Sequence, residues 1–382
     1  MTGRTVASVH SEGSLLAQRQ RSRARELCAL NGLQLYAQIA VGLALYLYDH
    51  VSTPGYLSLL CVAPFLLLMG RLGAALVRRA GPEGVLALAG KRAGRVLALC
   101  FFLVHAADAL LLFLALCAVA EDVMPDLGAG WGAAAMALTL GLVLGKRRSG
   151  EALPRLARLI RWAAALTLGF CIVGAFPHGS AAHFFPLLGY GPFRILQGGL
   201  WMCGSAAGCV SPLLSPENDP DAVRAMADQR TLLPPLLLAL AAGIVTMLCS
   251  VWLMPVYFMA RPETLGWRLL VLTNMTPSVP AWSLNVMGLF FLLLTALCMS
   301  VRQAAVFLVP AGVSRAASVP AGLTALFPAA LALPCILAPQ AVQRALVDIA
   351  PLRAGIALAA LLALWLLSRG KAKDTVKREG QS

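Results

Sequence analysis

Charged residues are scarce in this chain. They make up 13% of its 382 residues, against about a quarter in an ordinary soluble domain. Acids are the scarcer sign, with 17 Asp and Glu against 31 Lys and Arg, a formal net charge of +14. So little charge excludes an ordinary soluble enzyme. It also excludes a membrane anchor that carries a large water-soluble domain. Paired cysteines are missing as well. None of the ten cysteines forms a CxxC pair, so neither a zinc nor a redox site is indicated. They read as small apolar packing residues, and a secreted disulfide scaffold is excluded. The sequence has no HExxH, no GxSxG and no GxxxxGK(S/T). No catalytic activity, metal or cofactor is expected. The first 26 residues are polar and basic, without the apolar stretch of a secretory signal.

What the chain has instead is hydrophobic length. Hydrophobic residues are 59% of the total, and the mean hydropathy is +0.78. A bilayer span needs about 20 apolar residues, so the composition has room for about ten. The apolar runs lie near 27–48, 56–77, 96–120, 127–145, 159–176, 193–214, 232–257, 284–309, 317–337 and 352–367. These are spans 1 to 10. Residues 1–26 form a basic amino-terminal segment, 27–368 the membrane domain and 369–382 a basic tail.

The basic residues give this plan an orientation. On the ten-span plan 26 of the 31 Lys and Arg fall on one face, clustered in the amino terminus, the even-numbered connections and the tail. The other five are Arg194, Arg261, Arg268, Arg344 and Arg353. Cytoplasmic connections collect Lys and Arg, so both termini are expected in the cytoplasm. The charge is then a topology signal, and no nucleic-acid partner is expected. The connection after span 3 carries Glu121, Asp122 and Asp126. Trp131, Trp267 and Trp282 sit near the span ends, as interfacial aromatic belts do. The connection after span 6 is acidic, and 219–228 is expected to form a short surface helix.

Breaks in the apolar pattern mark candidate sites, because irregular backbone at membrane depth survives only beside a protein cavity or water. Span 6 carries the densest cluster, with Gly189, Gly191, Pro192, Gly198, Gly199, Cys203, Gly204, Ser205 and Gly208. Two readings fit: unwinding near Gly204, or close helix packing through small residues. Span 1 is the other candidate, with Gln38 and Gly42 near its centre. Gln38 is costly in lipid unless something satisfies it. Ten helices divide into five plus five. An odd repeat places spans 1 and 6 in opposite directions, as in inverted-repeat transporters with broken helices in both halves.

Ionisable residues inside spans come next. Asp108 lies in the middle of span 3, with His105 one turn earlier on the same face. Such residues commonly mark a pathway or a polar clamp, and the alternative is a packing pair. Arg302, followed by Gln303, lies towards one end of span 8. It either serves the site or snorkels to the interface. His178 and His183 precede span 6 without other metal ligands at suitable spacing.

Four stretches resemble one family. HFFPLLGYGPFRILQGGLWMCGSAAGCVSPLL, His183–Leu214, is similar to that family's "PLL–G–GP–IL–G" segment and Gly-broken sixth helix. GPEGVLALAGKRAGRVLAL, Gly81–Leu99, resembles its amphipathic loop into helix 3. QIAVGLALYL in span 1 resembles "QIGTGIL–LP", with Ala40 in place of the first Gly and the proline missing. NVMGLFFLLLTALCMSVRQAAVFL resembles its eighth helix with a basic residue. The family is the spore germination receptor B subunit, or endospore germination permease, in the amino acid–polyamine–organocation transporter superfamily.

The resemblance implies an all-α integral membrane protein of about ten helices, an inverted repeat with helix 6 broken and helix 1 as the second candidate. It implies a ligand pocket between helices 1, 3, 6 and 8, and A-type and C-type partner subunits in the spore inner membrane. The expected ligand is a small nutrient, an amino acid. The candidate ligand-binding residues are Gln38, Gly42, His105, Asp108, Gly199, Cys203, Gly204, Ser205 and Arg302. The alternative function is an ion-coupled secondary transporter of amino acids or amines in the bacterial cytoplasmic membrane.

Overall fold

A computed structural model describes residues 3–47, 50–80, 84–123, 179–185, 187–215, 220–253, 282–312 and 330–379, with 160–162, 164–166, 168, 169, 172, 173, 265, 268 and 269. Among these, the regular elements are all helical. Six helices are long and apolar enough to cross a bilayer. The chain is an all-α integral membrane protein. Expected span 4 lies outside the described residues, as do Trp131, Trp267, His178, most of span 9 and part of span 5.

Helix α1, Gly3–Gly42, runs without interruption from the polar amino-terminal segment into span 1. Its apolar part is buried on every side, as expected of a central helix. Gly32 on its own face and Gly243 on the facing one let it close on a later helix, α8 (Gln229–Leu253). A Cβ at Gly32 would sit 2.8 Å from the Pro235 carbonyl oxygen, and a Cβ at Gly243 would sit 2.5 Å from Ile39 Cγ2. Span 1 does not break as span 6 does. It widens into a π-helical turn, Leu43–Leu47, whose five side chains are all buried.

Span 2 is two helices, α2 (Gly55–Leu60) and α3 (Val62–Arg79). They are divided at Cys61 because Pro64 has no N–H to return to Leu60. Span 3 is α4, Gly90–Val123. Span 6 is α5 (Pro192–Ser205) and α6 (Ser211–Leu214). The expected surface helix is present as α7, Pro220–Met226. Spans 7 and 8 are α8 and α9, the latter Trp282–Leu308.

Span 10 differs from expectation. The sequence places its start at Leu352, after Pro351. The helix, α10, instead runs Pro339–Glu379 with Pro351 inside it. Proline usually ends a helix because its ring meets the carbonyl four residues back. In a packed membrane bundle neighbouring helices compensate. The carboxy-terminal half of α10 is tied to the end of α3. Arg79 Nη1 donates to Ser368 Oγ at 3.0 Å. The Arg369 guanidinium lies 3.8 Å, and that of Arg79 5.8 Å, from the centre of the Trp365 ring.

The outer surface suits lipid. Val96 and Leu103 on α4, Leu238 on α8, and Leu352 and Leu366 on α10 are all more than half exposed. Exposed large apolar side chains on three long helices suit a lipid environment.

Candidate functional site at the broken sixth helix

The site is built by a helix that cannot continue. Gly191, at φ 102°, sets the entry, and Pro192 takes the first helical position where its missing N–H costs nothing. Helix α5 then stops at Ser205. Pro212 explains the stop, because it cannot donate to Gly208 and its ring would meet that carbonyl. Residues 206–210 form turns closed by short-range bonds. Ala206 N donates to Cys203 O at 3.1 Å and Cys209 N to Ala206 O at 3.1 Å. Of the two readings of the glycine cluster, unwinding is the one observed, one residue past Gly204. Close packing accompanies it.

The carbonyls that this unwinding frees are taken by side chains. The Asn31 amide donates to Cys209 O, and the Ser211 hydroxyl reaches Gly208 O. Ser211 Oγ also lies 2.6 Å from His105 Nε2 and 3.1 Å from Gln303 Oε1. A hydroxyl has a single proton, which serves one of the two carbonyl acceptors, so the His105 Nε2–H donates to Ser211. Elements α4, α6 and α9 thus meet at one serine, and α1 joins the break two residues earlier, at the Cys209 carbonyl.

His105 and Asp108 are both fully buried, with Nδ1 3.7 Å from Asp108 Oδ2. They face the break. A Cβ at Gly208 would lie 2.8 Å from Asp108 Oδ2 and 2.8 Å from His105 Cε1. The His105 ring also stacks on Phe307 of α9 at 5.8 Å, within 7° of parallel.

Asp108 is not alone. It forms an ion pair with Arg353 of α10. The sequence plan counts Arg353 among the five basic residues of the opposite membrane face, but its side chain is 4% exposed, inside the bundle. This correction follows from the longer α10. With Pro351 inside the helix, Arg353 falls in the span rather than at its edge. The same helix touches the break again. The α-carbon of Gly204 packs on the Ala350 carbonyl, and Tyr46 of the π-helical turn donates to Leu346 O at 3.2 Å.

Gln38, Gly42 and Ser205 come together on the α1 side. Gln38 lies one turn before Gly42 on the same helix face. A Cβ at Gly42 would be 2.9 Å from Met202 Sδ and 3.2 Å from Ser205 Oγ. Gln38 is 2% exposed and Ser205 1%. The Gln38 amide nitrogen and the Ser205 hydroxyl have no hydrogen-bond partner. Two orphan polar groups beside an unwound helix are costly in lipid.

The other candidates have different surroundings. Cys203 is buried in the last turn of α5. Gly199 serves the contact with α2, where a Cβ would lie 2.6 Å from Cys61 Cβ and 3.2 Å from Ser58 O. Arg302 is half-buried, and it is the next residue, Gln303, whose side chain reaches Ser211. Asn31, Ser211 and Arg353 are missing from the sequence-based set. Asn31 lies within an apolar run, as Gln38 does, and the same cost argument applies to it. Arg268 is another buried cation, donating to Ala44 O of the π-helical turn at 3.2 Å. Among the described residues, no three His, Cys, Asp or Glu side chains gather so that they could hold a metal ion.

Comparison with known proteins adds the fold. No protein-family model and no curated protein sequence matches the chain. Solved structures do match. A variant of the Eremococcus coleocola manganese transporter superposes with a TM-score of 0.58 at 13% identity, covering 93% of this chain and 80% of that one. The chain shares a transporter fold. A second variant gives 0.56 at 14% identity, covering 90% and 78%. The same transporter in complex with an aromatic bis-isothiourea compound gives 0.52 at 14%, covering 93% and 80%.

Proposed function

We propose that this transporter-like membrane protein binds a small polar ligand beside the broken span 6, and that it does so as the membrane subunit of a nutrient germinant receptor. The observation that carries the binding reading is the pair of buried orphan groups, Ser205 Oγ at the end of α5 and Gln38 Nε2 one turn before Gly42, the α1 residue that faces Ser205. The germination role rests on the resemblance over residues 183–214 and on the three shorter stretches. In this reading the ligand is an amino acid, and A-type and C-type subunits complete the receptor in the spore inner membrane. Binding shifts the balance between conformations, since a ligand acts only through its differential affinity for them. No catalytic step is assigned. Deletion of the gene is expected to abolish germination with at least one nutrient. Normal germination of the deleted spore with every nutrient sinks the role.

A second reading is a secondary transporter of amino acids or amines, and the shared transporter fold favours it. It predicts uptake into proteoliposomes driven by an ion gradient. Binding without any gradient-driven flux over a broad panel favours the sensor.

A further inference from the structure

Asp108 is the only buried carboxylate among the described residues, at 0% exposure, and Arg353, at 3%, is its partner. They come from α4 and α10, and the unwound stretch lies beside both. Asp108 Oδ2 faces Gly208, at one end of the turns. Ala350, one turn before Arg353, packs on Gly204 at the other end. Neither glycine offers a side chain, so backbone and charge approach each other closely.

The pair is poorly satisfied. Beyond the contact between Arg353 Nη2 and Asp108 Oδ1, Asp108 Oδ2 and Arg353 Nε and Nη1 have no hydrogen-bond partner. A guanidinium carries five donors. Bilayer surroundings supply no water to take them. A buried ion pair is also weak evidence of stability, since apolar side chains of similar volume commonly do as well. Such a pair is poorly explained as a packing device and well explained as a binding device with its own halves folded together.

Its charge balance selects the occupant. A lone cation on Asp108 leaves Arg353 unmatched. A lone anion on Arg353 leaves Asp108 unmatched. A zwitterion leaves neither. Resting on the binding reading above, we propose that the Asp108–Arg353 pair is a latch opened by a small zwitterion. The ligand carboxylate takes the Arg353 fork, the ligand ammonium takes Asp108, and the two residues close on each other when it leaves. The fork suits a carboxylate because it presents two parallel donors. One buried ion pair is replaced by two, with no net charge added to the interior. Opening the latch moves α4 and α10 apart, which couples the ligand to the packing of the bundle.

The test uses the full chain in lipid nanodiscs. Binding of the common L-amino acids is measured one at a time by the shift in melting temperature and by equilibrium titration. The methyl ester and the deaminated acid of the tightest binder follow. The expected result is binding of the amino acid, with ester and deaminated acid each about a hundredfold weaker, because each leaves one buried charge unpaired. The double variant Asp108→Asn with Arg353→Gln removes both charges together and is expected to fold like the parent and lose the ligand-induced shift. Ester and deaminated acid binding within about threefold of the amino acid overturns the latch, and this arm does not depend on any variant folding. Undiminished binding by the double variant overturns it also. If no amino acid binds but a sugar, a nucleoside or potassium ion does, the latch falls and the binding reading stands. If none of these probes binds, both fall.

Discussion

The α-carbon of Gly204 rests on the backbone carbonyl of Ala350, so the last turn of α5 and the proline-bearing stretch of α10 touch main chain to main chain. Backbone cannot swing aside as a side chain can. Gly204→Ala is therefore expected to destabilise the protein by about 1–3 kcal/mol, as overpacking does. Thermal unfolding in nanodiscs reads this directly, and an unchanged melting temperature counts against the contact.

Gly42 makes the opposite case. A Cβ there would meet the tip of Met202 first, at 2.9 Å from Sδ. Methionine is flexible and can yield. Gly42→Ala is expected to cost less than about 1 kcal/mol of stability. Its methyl stands beside the Ser205 hydroxyl, so ligand binding should weaken while the melting temperature hardly moves.

Ser205 and Asn31 should separate cleanly. The Ser205 hydroxyl has no partner, so Ser205→Ala is expected to leave stability unchanged or raise it by up to about 1 kcal/mol. Its effect belongs on binding. Asn31 supplies the amide that takes the freed Cys209 carbonyl. Asn31→Ala leaves that carbonyl buried without a partner, at a cost of about 1–3 kcal/mol. Denaturation and ligand titration of the two variants should give opposite patterns. Equal patterns contradict the geometry.

The orientation can be tested without a ligand. With 26 of 31 basic residues assigned to one face, the expectation is that both termini lie in the cytoplasm. A green fluorescent protein fused after Ser382 should fluoresce, and an alkaline phosphatase fused there should be inactive. The reverse result inverts the topology.

Much of this was legible in the sequence because it is local. Hydrophobic length gave the spans that the structure describes. Pro212 and the glycines before it gave the break, since their effects act within one helical turn. Gln38 was legible as an expensive group in an apolar run. The ion pair was not, because Asp108 and Arg353 are far apart along the chain and only packing joins them. Pro351 hid the arginine by looking like a helix boundary. The π-helical turn at Leu43–Leu47 had no signal either. Its five residues carry neither glycine nor proline, and the contact made there by Arg268, which bonds the Ala44 carbonyl, comes from far along the chain.

Helix α10 has one more consequence, which is mechanical. Its stretch after Pro351 is pinned twice, at Arg353 by Asp108 and at Trp365 and Ser368 by Arg79. Two pins on a rod fix its tilt as well as its position. The stretch before Pro351 is fastened instead to the broken helix and the π-helical turn, through Ala350 and Leu346. The two stretches of α10 are thus held by different neighbours on either side of Pro351, the first by the broken helix and the second by α3 and α4.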